Sequence, residues 1–169
     1  LDSMRVTRSL RASTRRLQIR VDTAFDEVVD RCGYPRIPHV WLTTQIRDAY
    51  SDLNRLGCAH SVETRTPYGR LDGGLYGLSI GGLFAGVSMW HEAARWGRDA
   101  SKVALVALVV MLASAGEVDR RLLDVQWQTP HLASLGAIEI PRTLYLSRLA
   151  DALTLPTAQL NPSAATANV

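Results

Sequence analysis

The chain has 169 residues, 47% of them hydrophobic and 21% charged, and its formal net charge is +3. These values are typical of one soluble globular domain, which buries about 70% of its unfolded surface. The longest apolar run, residues 103–113, is shorter than the ~20 residues that span a bilayer and predicts a buried helix. No apolar segment follows the N-terminal charges, so no signal peptide is expected. Cys32 and Cys58 lack CxxC spacing and are expected to be reduced thiols in the cytoplasm.

Residues 1–16 are predicted to form a basic arm. Six arginines face a single acidic residue, Asp2, in the first twenty residues, which therefore carry +5 and leave −2 for the rest of the chain. The arginines are Arg5, Arg8, Arg11, Arg15, Arg16 and Arg20. Clustered arginine is typical of surfaces that bind nucleic-acid phosphates. A solvated arm without a ligand is the alternative.

The next elements predict a strand, two helices and a second strand. Apolar and polar residues alternate over 17–22, which predicts a strand, and a helix then runs from Thr23 to Gly33. A second helix ends at Gly57 and precedes a short strand over 60–66. In this order, two helices lie between the first and the second strand of the chain.

Two aromatic residues near the second helix, Trp41 and Tyr50, are nine residues apart. Their rings could stack on a nucleic-acid base, which is worth ~1–3 kcal/mol for each base. Packing in the hydrophobic core is the alternative, and the residues alone favour it.

The middle of the chain predicts a hairpin and a central helix. Gly81 and Gly82 separate two β-like runs, which is a strong hairpin signal. The apolar helix then ends at Gly116. The segment LLDVQWQ, residues 122–128, predicts a further strand.

The last part of the chain predicts a short helix, a strand and a final helix. Thr and Pro at its start predict a helix over 129–136, and AIEIP, residues 137–141, predicts a strand. A leucine stripe predicts a helix that ends near Leu153. Residues 17–153 are therefore expected to form the folded domain, and residues 154–169 a disordered tail.

The strand predicted over 122–128 carries an unusual polar set. In a strand, alternate side chains share a face, so Asp124, Gln126 and Gln128 would point the same way. A buried amide without a partner costs roughly 1–3 kcal/mol, and a buried unpaired charge costs more. Their cost suggests a functional role for the three side chains.

The order of elements predicts an α+β fold with a mixed, mainly antiparallel sheet and helices on both faces, as in acetyltransferase-like (GNAT-like) domains. The turn before the central helix reads RDASK, which lacks the glycines of an acetyl-coenzyme A site. No cofactor is therefore expected. The four histidines show no metal-ligand spacing, so no metal site is expected either. They are His39, His60, His91 and His131.

Four segments together resemble one family. They read WLTTQIRDAYSDLNRLGCAHSVE, GGLYGLSIGGLFAGVSMW, DASKVALVALV and LLDVQWQTPHLASLGAIEIPR. In this order they resemble the bacterial leucyl/phenylalanyl-tRNA–protein transferases. The resemblance implies transfer of Leu or Phe from Leu-tRNA or Phe-tRNA to the α-amine of proteins that begin with Lys or Arg. That reaction marks the acceptor protein for degradation in the N-degron pathway, and the family acts in the cytoplasm.

The resemblance also implies roles for particular residues. The catalytic pair falls on Asp124 and Gln126, and the aromatics that stack on the tRNA adenosine fall on Trp41 and Tyr50. The aminoacyl side-chain pocket falls on Leu75, Phe84, Leu108 and Leu123. The residues matching the basic surface for tRNA phosphates are Arg5, Arg8, Arg11, Arg15 and Arg16.

The chain differs from the family at three places. Val87 stands where the family has the Glu of a GES motif, a carboxylate that helps to organise the acceptor end of the site. The segment over 91–102 is about four residues longer than usual. From the resemblance, residues 1–16 are expected to be a remnant of, or a link to, a small N-terminal domain that this sequence does not include. Two alternatives follow: a tRNA-dependent transferase with another amine acceptor, or a truncated tRNA-binding protein without activity. The presence of both Asp124 and Gln126 favours an enzyme.

Overall fold

The computed structural model of the protein describes residues 1, 3–33, 42–92 and 99–167. The helices are α1 (Arg8–Thr14), α2 (Phe25–Gly33), α3 (Thr44–Arg55), α4 (Ala100–Ser114), α5 (Pro130–Ser134), α6 (Arg142–Ala152) and α7 (Pro162–Ala167). The strands are β1 (Gln18–Val21), β2 (Ala59–Arg65), β3 (Leu71–Ile80), β4 (Leu83–His91) and β5 (Leu122–Asp124). In the described part of the chain, no helix is long and apolar enough to cross a membrane.

The five strands form one sheet in the order β1-β2-β3-β4-β5. Strands β1 to β4 pair with one another in antiparallel fashion, and β3 and β4 form the predicted hairpin. Gly81 takes a φ of 58° in its turn, a left-handed conformation that glycine adopts without steric cost. The last strand, β5, lies parallel to β4, because α4 carries the chain back across the sheet.

Helices cover both faces of the sheet, as the sequence predicted for a mixed α+β domain. On one face, α4 packs with α1 and α7 in a core that includes Leu10, Leu108 and Met111. On the other face, α2 and α3 pack against the sheet in a second core, which includes Val28 of α2 and Tyr76 of β3. The run over 103–113 is therefore a buried helix, as expected, and it contributes more buried residues to the first core than any other element.

A buried carboxylate holds the start of α2. Glu63 is fully buried, and its carboxylate accepts hydrogen bonds from the backbone N–H groups of Thr23 and Ala24. The hydroxyls of Thr23 and Ser61 also donate to it, each at 2.6 Å. The negative charge lies at the positive end of the helix dipole. The sequence predicted that Thr23 begins this helix, and the structure adds that Glu63 of β2 caps it.

The N-terminal segment packs against the folded domain at Leu135 and Gly136. Leu10 of α1 is buried, and the backbone N–H of Arg5 donates to the carbonyl of Leu135 at 2.9 Å. Gly136 has a φ of 102°, and a Cβ at this position would collide with the carbonyl oxygen of Ser3. A glycine at 136 therefore allows the two segments to cross in close contact.

Two predicted strands differ from the structure. The strand predicted over 122–128 ends at Asp124, because the backbone of Gln126 turns into the left-handed region with a φ of 66°. The segment over 137–141 forms no strand and leads directly into α6. Its apolar alternation was read as β structure, but among the described residues the sheet contains only β1 to β5, and this segment pairs with none of them.

The expected disordered tail is also corrected by the structure, which describes its residues up to 167. Leu155, Ala158 and Ala165 are buried, and α7 packs against α4. Alanine is often fully buried where helices approach closely, and its small side chain leaves little periodic hydrophobic signal. Composition alone therefore gave the wrong expectation for this segment.

Candidate active site

The candidate site lies where the parallel pair of strands separates. Strands β4 and β5 pair only from Leu83–Leu122 to Ala85–Asp124. Beyond this point β5 has ended, whereas β4 continues to His91 in its pairing with β3. A notch therefore opens between the end of β5 and the outer edge of β4.

Asp124, the last residue of β5, uses both of its carboxylate oxygens. Oδ1 accepts a hydrogen bond from the backbone N–H of Gln126 at 2.7 Å. Oδ2 accepts one from the hydroxyl of Tyr145, on α6, also at 2.7 Å. The side chain is half-buried, so the sheet end and α6 together fix its orientation.

Gln126 forms the centre of a strained three-residue turn. The backbone N–H of Trp127 donates to the carbonyl of Val125 at 2.9 Å, and Gln126 between them has a φ of 66°. Turns of this kind are rare and strained, and such strain concentrates at functional sites. The side chain is held too, because Nε2 donates to the carbonyl of Gly86 at 3.0 Å. Its Oε1 accepts no hydrogen bond from the described residues.

Gly86 of β4 allows this arrangement by its lack of a side chain. A Cβ at Gly86 would lie 3.3 Å from the backbone carbonyl oxygen of Asp124, closer than most real Cβ contacts. The same residue accepts the hydrogen bond from the Gln126 side chain. The site therefore joins β4, β5 and α6 through one continuous chain of hydrogen bonds.

The predicted alternation of three polar side chains in one strand is wrong. Gln126 and Gln128 are exposed and lie beyond the end of β5. Gln128 also has a separate partner, because its Nε2 donates to the carbonyl of Ala137 at 2.8 Å. The three side chains are therefore not buried together. Asp124 and Gln126 are nevertheless joined, through the backbone of Gln126.

An open cavity of about 1140 Å³ lies beside the pair. Asp124, Gln126 and Trp127 line it together with the apolar side chains of Leu105 and Val109 of α4. Trp127 is 81% exposed at its margin. The cavity thus has both apolar and charged groups in its lining, among them the arginines Arg142 and Arg148, and the carboxylate and amide of the pair lie within it.

The four residues expected to form the aminoacyl pocket divide into two groups. Leu123 lines the cavity. Leu75, Phe84 and Leu108 are buried in the core beneath it, and Phe84 pairs with Leu123 in the sheet register. The structure therefore brings the four into one cluster, of which Leu123 is the member at the cavity surface.

The aromatic residues expected to stack on adenosine are only partly described. Tyr50 packs on the α2–α3 face, with its ring edge-to-face against Tyr76 at 5.2 Å between centroids, and burial raises the pKa of Tyr50. Val87 packs against the same cluster. Trp41 lies outside the described residues. Tyr50 and Val87 therefore lie on the face of the sheet opposite α4.

The five arginines expected to contact tRNA phosphates are all exposed. They are Arg5, Arg8, Arg11, Arg15 and Arg16. Arg8, Arg11 and Arg15 follow helical spacing along α1, with Leu10 buried on the side that faces the core. No carboxylate of the described residues forms an ion pair with any of the five. Their charges are therefore available to an anionic ligand.

Sequence reasoning missed Tyr145 and Gly86 as partners of the predicted pair. Tyr145 is 21 residues from Asp124, and Gly86 is 40 residues from Gln126. Nothing in local periodicity connects such distant positions. Among the described residues, no group of three or more His, Cys, Asp or Glu side chains is arranged to hold a metal ion.

Comparison with known proteins assigns the chain to a family. The family model described as leucyl/phenylalanyl-tRNA protein transferase matches residues 1–150. The leucyl/phenylalanyl-tRNA–protein transferase of Herpetosiphon aurantiacus is 47% identical over 150 residues, which cover 88% of this chain and 73% of that protein. The protein of the same name from Chlorobaculum parvum is 46% identical over 157 residues, covering 90% and 77%. That of Rubrobacter xylanophilus is 42% identical over 160 residues, covering 94% and 79%. The chain belongs to the leucyl/phenylalanyl-tRNA–protein transferase family.

Proposed function

We propose that this chain transfers leucine or phenylalanine from aminoacyl-tRNA to the N-terminal α-amine of proteins that begin with Lys or Arg. The observation that carries the proposal is the amide of Gln126. In a member of this transferase family, that amide is fixed at a strained turn beside an open cavity, and its Oε1 accepts no hydrogen bond from the described residues. The acetyltransferase-like fold is part of the proposal. So is a cytoplasmic location, where aminoacyl-tRNA is used.

The reaction needs little more than positioning. An N-terminal α-amine has a pKa of about 7.7–8.0, so an appreciable fraction is neutral at pH 7. The aminoacyl ester is already an activated electrophile. Holding the amine against the ester in the correct geometry could contribute roughly 7–11 kcal/mol toward the barrier. No covalent enzyme intermediate is required.

In this mechanism Gln126 is the residue that contacts the attacking amine. Its Oε1 accepts a hydrogen bond from the amine and directs the nitrogen lone pair toward the ester carbonyl. As the new C–N bond forms, the nitrogen gains positive charge, which the nearby carboxylate of Asp124 stabilises. The ester C–O bond then breaks, and the ribose hydroxyl leaves with a proton from the amine. The products are an extended protein and deacylated tRNA.

The remaining residues are proposed to bind the donor. The aminoacyl side chain rests on Leu123, with Leu75, Phe84 and Leu108 as the base of its pocket. Such an apolar site accepts Leu or Phe, since each methylene discriminates by only ~1–3 kcal/mol.

The tRNA itself is proposed to be bound outside this pocket. Trp41 and Tyr50 stack on the terminal adenosine. The exposed arginines of the N-terminal segment contact phosphates of the acceptor stem, which would make binding weaker as salt rises.

The direct test incubates the full chain with Leu-tRNA and a peptide that begins with Arg, and follows the peptide by mass spectrometry. We expect the gain of one leucyl residue. Gln126→Ala is expected to lower the rate by about 10²–10³, as for loss of a group that stabilises the transition state. Gln18→Ala is the matched control, because this exposed glutamine of β1 is remote from the cavity.

A second variant, Val87→Glu, tests the acceptor. Transfer by the parent to the Arg peptide would establish that Val87 is compatible with a basic N-terminus. Leucine transfer to the Arg peptide by Val87→Glu, but not by the parent, would mean that the parent uses another amine as its acceptor. Failure of both chains to transfer, with tRNA still bound, would instead indicate a tRNA-binding protein.

A further inference from the structure

We propose that Tyr145 is a positioning residue for the transfer reaction, acting through Asp124 to hold the amide of Gln126 in place. This inference rests on the proposed function for its catalytic consequence. Its structural content is the chain of hydrogen bonds that runs from α6 through the end of β5 to the edge of β4.

The first link is between Tyr145 and Asp124. The Tyr145 hydroxyl donates to Oδ2 at 2.7 Å, the short distance expected for a hydroxyl bound to a carboxylate. That hydrogen bond also raises the pKa of Tyr145 above its ordinary value, because Asp124 accepts the phenol proton as a hydrogen bond and disfavours the phenolate. With Oδ2 held from one side, rotation of the carboxylate is restricted.

The second link is between Asp124 and the backbone of Gln126. Oδ1 accepts the Gln126 N–H at 2.7 Å and so stabilises a φ of 66° that a non-glycine residue rarely adopts. If the carboxylate rotates, this bond lengthens and the turn loses its support. The orientation of Asp124 therefore determines the backbone conformation at Gln126.

The third link sets the direction of the amide. Nε2 of Gln126 donates to the carbonyl of Gly86 at 3.0 Å, which leaves Oε1 pointing away from β4. This contact depends on the turn, because the side chain leaves the backbone in a direction fixed by φ. Loss of the Tyr145 hydroxyl should therefore change Gln126 without any direct contact between the two residues.

The surroundings of Tyr145 support this role over simple packing. On α6, Ala152 is the one buried residue, and Leu144 and Leu146, on either side of Tyr145, are exposed. Tyr145 is itself only half-buried and lines the same cavity as Asp124 and Gln126. Removing only its hydroxyl takes away a hydrogen bond and leaves the apolar contacts unchanged.

The experiment compares Tyr145→Phe with Tyr68→Phe in the full chain. Tyr68 is 91% exposed in a turn and is the matched control. Transfer from Leu-tRNA to the Arg peptide is measured together with the NMR signals of Gln126. Its side-chain amide signals are assigned by their loss in Gln126→Ala, and its backbone amide by sequential assignment. We expect Tyr145→Phe to lower kcat about tenfold with KM for Leu-tRNA unchanged, and to shift both Gln126 signals. Tyr68→Phe should behave as the parent in both respects.

A double-variant cycle tests the route through Asp124. In an Asp124→Ala background, Tyr145→Phe should have no further effect on kcat, since the oxygens that accept from Tyr145 and Gln126 are already gone. A further tenfold loss would overturn the proposal, because Tyr145 would then act independently of Asp124.

The NMR comparison decides the positioning claim even if the parent transfers nothing. In that case the proposed function fails, whereas the Gln126 signals still report on the hydrogen-bond chain. Unchanged Gln126 signals in Tyr145→Phe would overturn the inference, whatever the activity of the parent.

Discussion

Two regions of the molecule are held together in different ways. The sheet region, comprising residues 17–33, 42–91 and α4, is built on fully buried side chains such as Tyr76, Phe84 and Leu108. The site region, residues 122–153, buries only Leu135, Gly136 and Ala152, and all of its residues are described. Its geometry instead depends on directional hydrogen bonds and ion pairs. Packing supplies a stable frame, and polar contacts determine where the reactive groups of the candidate site point.

The sharpest test of this contrast compares two leucines. Leu108→Ala should lower the free energy of unfolding by about 3 kcal/mol, because it leaves a cavity in the core. Leu144→Ala in α6 should change it by less than about 0.5 kcal/mol, since this side chain is 41% exposed. Urea unfolding measures both. Equal losses would show that α6 is packed as tightly as the sheet region.

A comparison of two glycines tests the one place where the site region is crowded. Gly136→Ala should cost about 2 kcal/mol, because the new Cβ adds a collision with Ser3 to the strain of a positive φ. Gly57→Ala is the control: its φ is 72°, but no atom lies within 4 Å of the added Cβ, so only about 1 kcal/mol is expected. Thermal unfolding under identical conditions gives the difference. Similar costs would mean that the N-terminal segment moves aside freely.

The smallest expected effect is a pH response of opposite sign in the two regions. In the site region, hydrogen bonding to Arg120 lowers the pKa of Asp151 on α6. Its contribution is present above the unfolded pKa of about 3.8 and is lost as pH falls through the lowered value. In the sheet region, the hydrogen bond to Asp22 at 2.7 Å raises the pKa of His60. Its contribution is present below about 6.5 and is lost as pH rises through the raised value.

Amide hydrogen exchange, corrected for the intrinsic rate at each pH, measures both responses. Protection of α6 should fall in acid, and protection near the β1–β2 end should fall in alkali. Asp151→Asn should abolish the first response, and His60→Gln the second. Both ion pairs are partly exposed. The effect of the His60–Asp22 pair on stability should therefore be below about 1 kcal/mol. Both effects should become weaker in high salt. If the acid response persists in Asp151→Asn, or the alkaline response persists in His60→Gln, a different titrating group causes that response.

How far the sequence predicts the structure differs between the same two regions. The hairpin at Gly81 and Gly82 and the end of α4 at Gly116 were predicted correctly, because hydrophobic periodicity and glycine turns report on packed elements. The short helix that begins at Pro130 was also predicted, since Thr129 caps it through the backbone N–H of Leu132. These signals are local in the chain.

The errors lie where local signals conflict with long-range contacts. The segment after Asp124 alternates like a strand, yet Gln126 turns away because its partners are the carboxylate of Asp124 and the carbonyl of Gly86. The roles of Asp124 and Gln126 were inferred from family resemblance, whereas the hydrogen bond from the Tyr145 hydroxyl to Asp124 was found only in the three-dimensional structure. Nothing in a single sequence reports a hydrogen bond between side chains that lie on separate elements.

The parallel pairing of β5 also bears on the order in which a newly made chain acquires its parts. Strands β1 to β4 pair with their sequence neighbours and can form while the rest is still being synthesised, whereas β5 must wait for the whole of α4. Gln126 can meet Gly86 only after a 40-residue separation has been closed, and Tyr145 emerges later still. An unfinished copy on the ribosome therefore has a frame but no assembled site.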